Sequence, residues 1–511
     1  MTALRGAQIT SVVLLAVVAA ACGKLEPLKA PIAADKAVAG GLHVVVSNAD
    51  LGQLSDAIRL AAGKTVEAPV APFVVPATDG RALGAATVEL AIASGKASLG
   101  AAGRLRFTYA ITASPIDLTV SQTGAGACTI QRNGLTGTLT MSLRVARGPG
   151  GNAEVMLGDA TECVLSPAPL IDDSGCLAKA PSGSFAAITK HVDAAIRQGL
   201  VGRYVSAARS SIAAVIPLGL ERKGRWTTSI SGRNVELRVA SSFSAGTSKP
   251  GDEATVVAHN GQYASASLNV ALDADRHPCA VDGPAPGLKS APLTLATPPS
   301  PAGSFLLRRA VVVDRALLAH VAWTAQRTGL FCRHVELPGG AGLTGQWAAR
   351  VLPALGAWIK DAPQRVRFWP GQLAKVAITE RNNEAAIRLD LPSAELEITA
   401  PISGIEAVAL KVTGSFRLVL QPANDPKTGV GLAIVDASVN SAVVHSPLAD
   451  QAPVAANDAL ADVVKKVVAR AFFGAFSAWP VPGFDKASVV GSSRVGDRMW
   501  IWLEEAPPDS G

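Results

Sequence analysis

The chain has 511 residues, a formal net charge of +7, 17% charged and 49% hydrophobic side chains, and a mean hydropathy of +0.29. Its basic residues are scattered and form no Lys/Arg run, which excludes nucleic acid as the expected partner. The length predicts at least two domains, and the apolar excess predicts more apolar surface than a compact core requires.

Met1 to Ala21 reads as a signal peptide: Arg5 supplies a charged start, and Ile9 to Ala21 is almost wholly apolar with small residues at its end. That run is too short to span a bilayer. It closes on Ala19-Ala20-Ala21-Cys22-Gly23, which resembles a bacterial lipobox. The resemblance implies lipidation at Cys22, and Lys24 implies sorting to the outer membrane. The expectation is a water-soluble body held at the bacterial cell envelope by an N-terminal lipid anchor, with residues 22–40 as a Pro/Ala-rich tether.

Beyond the tether, Leu42 to Val46 predicts a strand and Asp50 to Ala62 a short helix stopped by Gly63. Pro69 to Gly84, with three prolines, reads as a loop or edge segment. Period-two alternation then predicts strands at Val88-Leu90-Ile92, Leu105-Phe107-Tyr109 and Leu139-Met141-Leu143-Val145. Gly148 to Asn152 predicts a turn, and Ala153 to Gly158 the returning strand. Ser184 to Ile216 is the longest helical pattern of the body. Its apolar residues recur in steps of three and four at Phe185, Ile188, Val192, Ile196, Leu200, Tyr204, Ala208, Ile212 and Val215. Lys190, Asp193, Arg197, Arg203 and Arg209 make its polar face, and Pro217 stops it.

Strand patterns resume at Val235-Leu237-Val239 and Leu268-Val270-Leu272. Pro278 to Pro301 holds seven prolines and reads as an interdomain linker. The second half then restates parts of the first: a strand at Arg308 to Val313, a helix from Asp314 to Thr328 with Asp314 as N-cap, and strands around Ile387 to Leu391, Leu396 to Ile398 and Phe416 to Leu420. Asn424 to Gly429 is a hairpin turn. A second long helix is expected from about Pro453 to Ser477, its apolar face including Leu460, Val464, Val467, Val468, Phe472 and Phe476.

Catalytic chemistry is poorly supported. The seven histidines are scattered, there is no G-x-S-x-G elbow, P-loop or dinucleotide fingerprint, and Asp172-Asp173-Ser174-Gly175 reads as a turn. Asp273 and Asp275 read as a solvated loop. No CxxC spacing occurs and no His lies at ligand spacing from a Cys pair, so no metal site is expected. The expected disulfides are Cys279 with Cys332, and Cys163 with Cys128 or Cys176.

Gly158-Asp159-Ala160-Thr161-Glu162-Cys163, the long helix, and Ile216-Pro217-Leu218 resemble the matching region of the bactericidal/permeability-increasing and lipopolysaccharide-binding protein family. So do Val311-Val312-Val313-Asp314 to Thr328-Gly329-Leu330-Phe331, Leu352-Pro353, and Trp479-Pro480-Val481-Pro482. The motifs fall in the family's order over roughly residues 130 to 505. The resemblance implies an α+β tubular lipid-binding (TULIP) architecture. Two halves, residues 41–277 and 304–505, would each wrap a twisted antiparallel sheet round a long amphipathic helix. A linker at 278–303 and a central sheet would join them as an elongated boomerang, with a tail at 506–511. It implies no enzyme activity and no cofactor, but a bound phospholipid or other acyl lipid between helix and sheet. The residues implied to face it are Phe185, Ile188, Val192, Ala195, Ile196, Gly199, Leu200, Tyr204, Ala208 and Ile212, then Leu317, Leu318 and Val321, then the apolar face of the second long helix. Small residues on the first long helix, Ala195, Gly199 and Ala208 above all, would leave room for it. Two departures stand out: no Cys lies in the long helix to partner Cys163, and the basic tip used for endotoxin is missing. An alternative expectation is a fully packed scaffold of the same fold that recruits a protein partner in the envelope.

Overall fold

The alternating segments pair into antiparallel sheets, and three helices interrupt them among the described residues: α1 (Asn48–Ala62), α2 (Ser184–Val215) and α3 (Arg315–Arg327). The computed structural model describes residues 26–505 apart from 34–35, 77, 79, 101–102, 123–124, 149–151, 179, 182, 216–220, 231–232, 245–254, 260–262, 288–289, 291–292, 294–308, 338–348, 350–362, 403, 426–428, 449–453 and 456–486. The leader with Cys22, and Leu460, Val464, Val467, Val468, Phe472 and Phe476, therefore lie outside the described residues. Among those described, no helix is long and apolar enough to cross a membrane.

The chain forms two compact units, one of residues 1–45, 219–244 and 267–511, the other of residues 46–218 and 245–266. This division does not fall at the Pro-rich stretch. Backbone pairing explains why. In the first unit one sheet runs in the order Arg222–Ile230, Arg233–Phe243, Tyr263–Ala274, Ala37–Ser47, Arg309–Asp314, Arg498–Glu505 and Ala487–Val495. Strands from before and after residues 278–303 thus share one hydrogen-bonded sheet.

The other sheet of that unit carries three long strands, Glu384–Ile402, Ile405–Asp425 and Gly429–His445. They pair in sequence order, with Arg333–Leu337 and Gln364–Trp369 before them and Lys375–Arg381 on the flank. Register shifts interrupt the ladders between Leu391 and Ala394 and between Thr413 and Ser415. Such bulges bend strands and strengthen their twist, and Ser393 adopts φ 50° at the first of them. Val454–Ala455 pairs with Val443 and Val444 as a short strand, so the helix expected from about Pro453 does not begin there.

In the second unit the larger sheet runs Ala153–Leu157, Leu135–Arg147, Leu105–Ala113, Ala86–Ile92, Thr65–Val70. Glu162–Leu165 and Lys96–Leu99 add to its flanks. A smaller sheet runs Leu170–Ile171, Ala125–Arg132, Ile116–Gln122, Arg81–Leu83, Phe73–Val74. Residues 69–84, expected as a loop or edge segment, contribute the short strands Phe73–Val74 and Arg81–Leu83 at one edge of this sheet, the place where proline is tolerated. At Gly148–Asn152 the Gly148 amide donates to the Asn152 carbonyl, closing the expected turn.

The disulfides require one correction. Cys279 is joined to Cys332 as expected, but Cys128 is joined to Cys176, and Cys163 is a buried free thiol. The strand Leu170–Ile171 pairs with Gln131 and Arg132, which carries Cys176 back beside Cys128. Cys163 sits in the other sheet, opposite Leu139.

Candidate functional site

Helix α2 presents one continuous apolar stripe. Ile188, Val192, Ile196, Leu200, Tyr204, Ala208 and Ile212 are each fully buried, in steps of four, while Phe185 is half-buried. At 1.5 Å per residue the stripe from Ile188 to Ile212 is about 36 Å long. Opposite α2 lie the inward residues of the larger sheet, and α1 packs beside α2. The inward rows are Val66-Ala68-Val70, Val88-Leu90-Ile92, Leu105-Phe107-Tyr109-Ile111 and Leu139-Met141-Leu143-Val145, all buried. From α1, Leu51, Leu54 and Ile58 complete the enclosure.

The seam has one polar point. Tyr109 and Tyr204 meet edge to face with ring centroids 5.0 Å apart. The Tyr109 hydroxyl donates to the Ser55 carbonyl at 3.0 Å, and the Tyr204 hydroxyl donates to the Gly63 carbonyl at 3.3 Å. Each ring keeps an apolar body in the seam with its hydroxyl satisfied on α1 or the turn after it. Burial pushes the Tyr109 phenol up to about 12 and raises Tyr204 further, so both stay neutral donors.

The small residues occupy different settings. Ala208 is fully buried, Ala195 half-buried, and Gly202 faces open space. A Cβ at Gly199 would lie 3.4 Å from the Ala68 Cβ. Helix and strand meet there at ordinary packing distance.

Polar contacts pin the outer flank of α2. Arg132, wholly buried, reaches Asp193 at 2.5 Å. Arg197 donates to the Cys163 carbonyl at 3.1 Å. His191 Nε2 lies 2.9 Å from the Ala71 carbonyl, and its ring stacks on Phe73 with centroids 4.4 Å apart. Burial pushes the Cys163 thiol up to about 11, as expected for an unreactive core cysteine.

In the other unit, Leu317, Leu318 and Val321 are buried on α3, whose N-cap Asp314 accepts from the Ala316 amide at 2.8 Å. A Cβ at Gly41 would sit 2.8 Å from Val38 Cγ1 and 3.0 Å from Leu317 Cβ, so the strand packs tightly against α3 there. His320 is fully buried, with Nε2 3.1 Å from the Leu272 carbonyl. Its ring stacks on Trp323, over which Arg327 lies at 5.4 Å.

The other polar groups singled out from sequence have structural partners. Asp172 accepts from the Cys176 and Leu177 amides at 2.6 Å, making the expected turn. Asp273 is not in a solvated loop: it is buried on the strand Tyr263–Ala274 and paired with Lys36 and Arg238, which also reaches Asp275. Along the sequence no His lies at ligand spacing from a Cys pair. The fold nonetheless brings His277, Cys279 and Cys332 together, with ligand atoms within 4.8 Å of one another. His277-Pro278-Cys279 was the legible half of that cluster; the other half arrives from 53 residues on.

No known family's sequence profile matches the chain, and no curated protein matches it in sequence. The fold is similar to that of lipopolysaccharide binding protein. The likeness covers 92% of this chain and 99% of that one, at 11% identity and a TM-score of 0.39. P47 of Clostridium botulinum E1 matches over 92% of this chain and all of its own, at 9% identity and a TM-score of 0.26. P47 from Clostridium botulinum A2 matches over 92% of this chain and 98% of its own, at 8% identity and a TM-score of 0.22.

The sheet side of the seam was not singled out from sequence, although its strands were. Phe107, Tyr109 and Met141 alternate with polar residues like any half-buried strand, and alternation alone does not say which element covers a face.

Proposed function

We propose that this chain binds an acyl lipid along the apolar seam between α2 and the sheet of its second unit, as a carrier or receptor that makes and breaks no bonds. The observation that carries the reading is the seam itself: a fully buried stripe about 36 Å long, facing four apolar strand rows, with its one polar point satisfied internally. A long, narrow apolar enclosure suits a chain of methylenes, each worth about 0.8 kcal/mol on leaving water. A phospholipid or a free acyl chain meets that description equally. The fuller reading adds a corresponding seam in the C-terminal half of a TULIP architecture, with Leu317, Leu318 and Val321 among its walls, and an outer-membrane anchor at Cys22.

A second reading has a specific observation in its favour. Gly199 lies against Ala68 at a distance where an added Cβ would be in ordinary van der Waals contact, so no wide gap opens at that point of the seam. A scaffold of the same fold with a packed core, recruiting an envelope protein, would use its glycines in that way. Organic extraction of natively purified protein followed by mass spectrometry separates the two. Lipid in near-stoichiometric amount supports the carrier; a lipid-free preparation that also fails to take up an acyl probe supports the scaffold.

A further inference from the structure

We infer that His277, Cys279 and Cys332 form a metal site for a thiolate-seeking divalent cation such as Zn2+, opened when a dithiol reduces the Cys279–Cys332 disulfide. Three donors of the right chemistry converge: one imidazole nitrogen and two sulfurs, with their ligand atoms within 4.8 Å of one another. His277 Nδ1 lies 2.8 Å from Cys279 Sγ. The Cys279 amide points at the same nitrogen at 3.3 Å. An amide donating there marks Nδ1 as the unprotonated nitrogen, and a metal would displace that hydrogen bond to take the same lone pair.

The two loops that carry these residues are fixed by their backbones. The His277 amide donates to the Arg327 carbonyl, the Ala280 amide to the His277 carbonyl, and the Cys332 amide to the Gly329 carbonyl, each at 2.8 Å. Gly329 holds φ at +77°, and a Cβ there would lie 2.5 Å from the His277 ring. Only glycine lets the α3 C-terminal turn close over the imidazole. His277 and Cys332 are buried while Cys279 is half-exposed, so the cluster has one open side. Two thiolates, one imidazole and a water at the open side make a four-coordinate zinc set.

The chemistry balances with a dithiol as reductant. Its two thiols pass two electrons and two protons to the Cys279–Cys332 bond, leaving two protein thiols and a cyclic disulfide by-product. Metal binding then displaces both thiol protons into solvent and forms two metal–sulfur bonds and one metal–nitrogen bond. With the disulfide formed, Cys279 and Cys332 offer no thiolate at this cluster, so the site exists in one redox state only. The lipid seam plays no part in this inference.

The test uses the whole protein, reduced with dithiothreitol, desalted without oxygen and titrated with Co2+. One cobalt per chain with thiolate charge-transfer absorption, displaced by Zn2+, is expected; the oxidised protein should show none. His277→Ala should weaken binding at least about tenfold, whereas Cys163→Ala should leave it unchanged. A measurement on the unmutated protein guards against misfolded variants: Zn2+ should protect Cys279 and Cys332 from alkylation, read by peptide mass spectrometry. Protection that falls on Cys128 and Cys176 instead overturns the inference. So does reduced protein without charge-transfer absorption, binding indifferent to His277, or a Cys279–Cys332 bond that dithiothreitol leaves intact in the folded chain.

Discussion

Replacing Asp193 by Ala removes the anion that faces Arg132 and leaves a charged guanidinium inside the fold. The Arg132 side chain has no exposed surface, that of Asp193 is 17% exposed, and they meet at 2.5 Å. Arginine does not give up its proton when buried, so the charge has no escape by titration. Its Nε and Nη1 have no partner among the described residues, so nothing there takes over when Asp193 is lost. Breaking a buried pair by deleting one partner costs about 3–5 kcal/mol. The better helix propensity of Ala in α2 offsets roughly half a kcal/mol of that. A net loss of about 2.5–4.5 kcal/mol follows. Arg197→Ala is the control: Arg197 lies 3.9 Å from Asp193 with its side chain 47% exposed, and its removal, which also gives up the hydrogen bond to the Cys163 carbonyl, should cost about 1 kcal/mol. Amide hydrogen exchange on the peptides covering residues 125–132 and 184–215 reads the local opening free energy directly, without assuming that two units unfold together. The double variant Arg132→Met with Asp193→Leu should recover most of the loss, because no unpaired charge remains. A loss for Asp193→Ala no larger than that of Arg197→Ala would refute the reasoning and show that the guanidinium finds water or another partner.

Two further predictions concern titrating groups. Cys163, its thiol pushed up to about 11 by burial, should resist iodoacetamide at pH 8 in the native protein and react fully after denaturation; rapid native labelling would contradict its place opposite Leu139. Burial lowers the His320 pKa below its ordinary 6.5, with smaller opposing contributions from the Leu272 and Lys36 backbone and from Asp273. The unfolded chain then binds the proton more readily, so stability from this group is present above about pH 6.5 and is lost as pH falls below it. The melting temperature should drop on acidification through that window, and His320→Gln should flatten the drop; equal slopes for both proteins would rule out His320 as its source.

Local periodicity made much of the architecture legible. The step-of-four stripe from Ile188 to Ile212 is a continuous buried stripe that winds along a helix ending within a residue of its expected bounds, and Asp314 caps α3 as its position implied. What was not legible depends on pairing between distant segments. Cys176 reaches Cys128 only because Leu170–Ile171 joins the edge of a sheet, and a two-residue strand leaves no periodic signature. The same holds for Val454–Ala455, a two-residue strand whose pairing with Val443 and Val444 falls where the second long helix was expected to start. The His277, Cys279 and Cys332 cluster is hidden for a related reason, since loop closure across 53 residues has no spacing rule. The walls of the seam were legible as strands but not as walls, because alternation reports that a face is covered and not by what.

The central claim, that an acyl lipid occupies the seam between α2 and the sheet, is tested most directly by photo-crosslinking. Natively purified protein is loaded with a diazirine-bearing fatty acid or phospholipid, irradiated, digested and mapped. The account predicts adducts on the α2 stripe between Ile188 and Ile212 and on the facing strands Leu105–Ala113 and Leu135–Arg147, competed away by unlabelled lipid. Adducts confined to exposed side chains such as Leu60, Val74 or Ile405, or no competable adduct at all, would contradict it.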